Sequence, residues 1–151
     1  MALRYLKSGF AQSDAKTAYD LLSDVCKTIK NEPKIYDQDT FMSRDNISPC
    51  GTVACRAGWI VALHDGSARL NLINIEDRAT HILGFSGRYG CGVVPDSLFE
   101  ASAFTYENKD MGRDNFPNAG TKAYARLGIK GLRTFMAKHK AHLKARLLKR
   151  V

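Results

Sequence analysis

Four cysteines, Cys26, Cys50, Cys55 and Cys91, and two histidines, His64 and His81, are the side chains best suited to covalent or metal chemistry in this chain. Two of them, Cys50 and Cys55, lie in the run Cys50-Gly51-Thr52-Val53-Ala54-Cys55-Arg56-Ala57-Gly58-Trp59. If a helix begins at Ser48-Pro49, Cys50 falls in its first turn. There, free N–H groups and the helix dipole lower a thiol pKa and make it a better nucleophile. His81 or His64 would then be the candidate base. The same helix start offers Gly51 and Thr52 as a possible anion site, with ordinary capping as the plainer role for Thr52. Metal binding fits less well. C-x4-C is not a usual zinc spacing, and Cys55 and His64, nine residues apart, would face opposite sides of a helix. No metal and no cofactor is therefore expected. The glycines Gly84, Gly87, Gly90 and Gly92 lack the lysine and the strand context of a phosphate-binding loop.

A second kind of chemistry is electrostatic. Residues 122–151 hold ten Lys or Arg and no Asp or Glu, whereas the rest of the chain holds thirteen basic and fifteen acidic side chains. The net charge of +8 thus belongs to the last thirty residues. On a helix, Lys122, Arg126, Lys130, Arg133, Lys140 and Lys144 share a sector of about 80°. Cations crowded on one face repel one another, and an anionic partner relieves that cost. Nucleic-acid phosphates are the first expected partner and an acidic protein surface the second, with binding largely independent of base sequence. A solvated basic tail is the plainest alternative.

The elements that must position these groups are mostly helical. Ser13 predicts an N-cap for a helix over 14–31, with Ala15, Ala18, Leu22, Val25, Cys26 and Ile29 on its apolar face and Pro33 ending it. A loop follows over 32–48, with room for a short strand at Lys34–Tyr36. Ser48-Pro49 predicts a second helix to about His64, closed at Asp65-Gly66. Gly51, Ala54, Cys55, Gly58 and Ala62 would form a small-residue stripe on it, with Trp59 plugging the core alongside. Asn74 predicts a third helix carrying Ile75, Ala79, Ile82 and Leu83, with Gly84 just past its end. Pro95-Asp96 predicts a short fourth helix, and residues 105–120 a long surface loop. Thr121 predicts the N-cap of a last helix over 122–149, in which Gly128 and Gly131 are candidate breaks.

The Cys50–Trp59 run resembles a family of small uncharacterised proteins of bacteria and their phages, marked by C-G-T-x-x-C-x-A-G and then an aromatic residue or His. Cys50, Gly51, Thr52, Cys55, Ala57, Gly58 and Trp59 match it, and Ala79 to Phe85 and Leu98-Phe99 follow in the family's order. The resemblance implies a compact helical domain in a bacterium or phage and no particular activity.

These signals describe one domain, residues 1–151: a mainly α bundle of about five helices, with a strand or two, a core over about 13–136 and a basic C-terminal segment over 122–151. No apolar run is long enough to span a membrane, and no export signal precedes the domain, so a cytoplasmic protein with free thiols is expected. The functional expectation is a non-enzymatic accessory protein that binds an anionic partner. The alternatives are a host-modulating or anti-defence module that binds protein, and a small ligand-binding or cysteine-dependent enzyme centred on Cys50 and Thr52.

Overall fold

The computed structural model describes residues 3–5, 11–36, 42–44, 52–66, 75–85, 108, 111 and 116–149. Among the described residues, two small antiparallel hairpins flank the helices: β1 (Leu3–Tyr5) pairs with β2 (Ala11–Ser13), and β3 (Met42–Arg44) with β4 (Thr52–Ala54). Among the described residues, five helices carry the fold: α1 (Ala18–Asn31), α2 (Arg56–Asp65), α3 (Ile75–Ile82), α4 (Lys122–Lys138) and α5 (Lys140–Ala145). The architecture is mainly α, as its apolar periodicity predicts. The short helix expected after Pro95 lies outside the described residues.

Helix α1 begins four residues later than expected. Ser13 ends β2 opposite Leu3, and its hydroxyl donates to the buried carboxylate of Asp24. Thr17 caps the helix instead, its hydroxyl oxygen accepting from the Asp20 N–H at 3.2 Å. Residues 34–36 form no strand: Pro33–Ile35 is a 3-10 turn, started by the proline whose fixed φ suits it.

The larger correction concerns the second helix, which starts at Arg56 with Cys55 as its N-cap. Thr52–Ala54 is extended and pairs with Met42–Arg44. Consecutive β-branched residues at Thr52 and Val53 favour a strand over a first helical turn. The small-residue stripe is therefore cut to Gly58 and Ala62, both buried within α2. Gly66, at φ 73°, closes the helix where expected. Trp59 does plug the core, and its indole N–H donates to the Ile35 carbonyl at 2.8 Å.

The last helix is not continuous. It breaks at His139, not at Gly128 or Gly131, and the chain leaves α5 in extended conformation. Thr17 and Leu147 then form an antiparallel bridge. The Ala18 N–H donates to the Arg146 carbonyl, and the Leu148 N–H to the Lys16 carbonyl, both at 2.9 Å. On the other side, the Arg146 guanidinium donates to the carbonyls of His81 and Ile82 at the end of α3. Leu143 is fully buried, so the core reaches past residue 136. Residues 140–149 thus clasp the entry of α1 to the exit of α3.

Candidate functional site: a basic groove between α1 and α4

The site is built on α4. Thr121 caps it as expected: its hydroxyl oxygen accepts from the Tyr124 N–H at 3.2 Å. Helix α4 buries Tyr124, Ala125, Gly128, Ile129, Leu132, Phe135 and Met136 against α1 and the 3-10 turn. Ala123 is exposed, and Gly131 is half-buried.

Two interior contacts fix the height and tilt of α4. Arg56, fully buried at the start of α2, donates through Nε and Nη2 to the Gly128 carbonyl at 3.2 and 3.0 Å. Tyr36 lies so close to Gly128 that a Cβ there would come within 2.3 Å of its ring. Gly128 is thus a close-approach glycine and not a helix break.

With α4 held this way, a groove of about 790 Å³ opens between it and the C-terminal end of α1. From α1 and the turn come Lys30 and Pro33. From α4 come Lys122, Arg126, Lys130 and Arg133, over a floor of Ala125, Ile129, Thr134 and Ala137. Five cations therefore rim one concavity, and no carboxylate lines it among the described residues. All five cations are exposed. Lys122, Arg126 and Lys130 have no ion-pair partner among the described residues. Arg133 reaches inward to the buried thiol of Cys26, which burial pushes up to about 11 despite the opposing influence of Arg133 and Arg56.

Four of the six sequence-predicted cations thus meet at one place. Lys140 and Lys144 do not join them, because the break at His139 carries α5 elsewhere; the Lys144 ammonium sits 5.1 Å over the Tyr19 ring. Lys30 is the groove cation that sequence reasoning missed. It sits in the last turn of α1, where a lysine reads as a helix C-terminal charge, and only the fold brings it opposite α4.

The thiol candidates fare differently. Cys50 and Gly51 lie outside the described residues; Thr52 lies on β4 and α2 begins only at Arg56, so Thr52 stands at no helix N-terminus. Cys26 and Cys55 are buried free thiols. His64 lies 2.8 Å from Asp65, whose carboxylate also takes Arg78 at 2.8 Å. Among the described residues no three His, Cys, Asp or Glu side chains gather as a metal site, and no helix is long and apolar enough to cross a membrane.

No known family matches this chain, and no curated protein or solved structure is significantly similar to it. Function is therefore read from the groove itself.

Proposed function

We propose that this is a non-enzymatic accessory protein, of the bacterial or phage kind its central motif resembles, that binds an anionic macromolecule along the α1–α4 groove. The observation that carries this reading is the groove's rim: Lys30, Lys122, Arg126, Lys130 and Arg133 with no lining carboxylate among the described residues. Neighbouring like charges destabilise an isolated helix by a few tenths of a kcal/mol per pair. A polyanion removes that repulsion and gains from the release of its own counterions. Buried cations satisfied from within would not behave this way, but these side chains stand in solvent.

On α4, Lys122, Arg126 and Lys130 recur every four residues, or about 6 Å. That spacing suits any regular row of anions, whether nucleic-acid phosphates or the carboxylates of an acidic protein. The direct test is fluorescence anisotropy with two labelled probes, a non-specific DNA duplex and an acidic peptide, titrated from low to high salt. Binding of at least one probe that weakens steeply with salt, and is lost in Lys122→Glu/Arg126→Glu/Lys130→Glu, is the expected result. If neither probe binds at low salt, or if binding ignores both salt and the triple reversal, the groove is not an anion-binding surface.

A further inference from the structure

We infer that residues 140–149 are an acid-released clasp: protonation of His139 frees them from α1 and α3 while the packing of α1 on α4 holds. His139 sits at the break itself, ending α4 and starting α5. Its ring is half-buried against Phe135 of α4 and Phe85 beyond α3, and its Nε2 is buried with no hydrogen-bond partner among the described residues. A neutral imidazole can leave that nitrogen bare as a lone pair. An imidazolium cannot: it carries a second N–H, here without an acceptor, and an unpaired charge held away from water is costly.

The surroundings supply no counter-charge. Lys138 comes from α4, Lys140 and His142 from α5, and the α3 side offers Phe85, with the Arg146 side chain lying against Gly84 just before it and held on the carbonyls of His81 and Ile82. Among the described residues no carboxylate pairs with His139 or His142. Residues 138–149 hold five Lys or Arg and no Asp or Glu, so each proton taken up adds like charge to like. Desolvation, then Lys138 and His142, accordingly hold the His139 pKa below its ordinary value. Opening returns the ring to water, so it is coupled to proton uptake below about pH 6.5. Beyond the break, the clasp is held by Leu143 in the core, by His142 Nε2 donating to the Leu83 carbonyl at 3.1 Å, by Arg146, and by two backbone bonds to the entry of α1. Helix α4 is fixed separately, by Arg56 and Tyr36 at Gly128, so the release is local. His142 is not the trigger. The bond it donates survives protonation, and its ring, stacked on Phe85 at 4.2 Å, gains a cation–π attraction when charged.

The test is hydrogen–deuterium exchange of the full-length protein, read by mass spectrometry at about pH 7.5 and about pH 5 and corrected for the intrinsic pH dependence of amide exchange. Residues 140–149 are expected to exchange about threefold or more faster at the lower pH, with residues 122–136 unchanged. His139→Phe and His139→Gln, neither of which titrates, should each abolish the difference, and either one that folds decides the point. His142→Gln, which can still donate to the Leu83 carbonyl, should keep it. No selective gain in residues 140–149, an equal gain in residues 122–136, or a gain that survives replacement of His139 overturns the proposal. So does its disappearance in His142→Gln.

Discussion

Gly128 shows how much depends on a single missing methyl group. In a helix interior, glycine to alanine ordinarily stabilises by about 1 kcal/mol. Here the added Cβ would press to 2.3 Å from the Tyr36 ring, with the Tyr36 hydroxyl at 2.7 Å. Gly128→Ala should therefore destabilise, by about 1–3 kcal/mol in chemical denaturation, and trimming Tyr36 to leucine in the same chain should recover part of the loss. Two buried carboxyls act in opposite senses on pH. Burial alone would raise the Asp65 pKa, but the hydrogen bonds and charges of Arg78 and His64 outweigh it and hold the group below its ordinary value. Its contribution is present above the unfolded carboxyl pKa of about 4 and is lost as pH falls through the lower folded value. Asp65→Asn should cost about 1–3 kcal/mol at pH 7, a deficit that shrinks on acidification. Asp24 is the reverse. Burial raises its pKa despite the Ser13 hydrogen bond, so its share of stability falls as pH rises past the ordinary carboxyl range. Asp24→Asn, which can still accept from Ser13, is expected to raise the melting temperature at pH 7.

Among the elements, the clasp of residues 140–149 changes what can be removed. The sequence suggests that truncation after Ala137 would take away the binding charges and spare the fold. The structure reverses this. The groove cations on α4 all precede Ala137, while Leu143 is fully buried and the chain beyond it bridges Thr17. Truncation should therefore unfold or loosen the domain, and Leu143→Ala alone should cost about 2–5 kcal/mol by denaturation. At the α4–α5 break, His139 lies against Phe85 and Phe135, with ring centroids at 5.5 and 4.8 Å. Its Nε2 is buried with no hydrogen-bond partner among the described residues. Desolvation, then Lys138 and His142, lower its pKa. The neutral ring therefore supports the fold above the ordinary histidine pKa, and that support is lost as pH falls through the lower folded value. His139→Phe should flatten the acid side of the stability profile below about pH 6.5 in thermal melts at successive pH values.

At the scale of the whole molecule, the charge asymmetry and the helix caps that depend on one side chain were legible beforehand. Thr121, Gly66 and Gly84 all sit where their types predict, because a cap is a local event. Element starts that compete with pairing elsewhere were not. Ser13 is a good N-cap in isolation, yet a strand partner eight residues upstream of Ala11 and the Asp24 carboxylate claim it. Thr52 and Val53 read as helical from Pro49 onward, yet Met42–Arg44 draws them into a hairpin. The groove was half legible for the same reason. The α4 cations declare themselves by spacing, whereas Lys30 joins them only through the packing of α1 on α4.

One interior contact has a reach beyond its own neighbourhood. The Arg56 guanidinium grips the backbone of α4 at Gly128, one residue before the floor residue Ile129 and two before the rim residue Lys130. The wall of the cleft is thus moored to a charge sealed inside the protein, and the spacing a visiting molecule encounters is set from within. Replacing Arg56 by methionine, similar in length but unable to donate, should slacken that mooring. Affinity for whatever docks there would then drift although every solvent-facing side chain is intact.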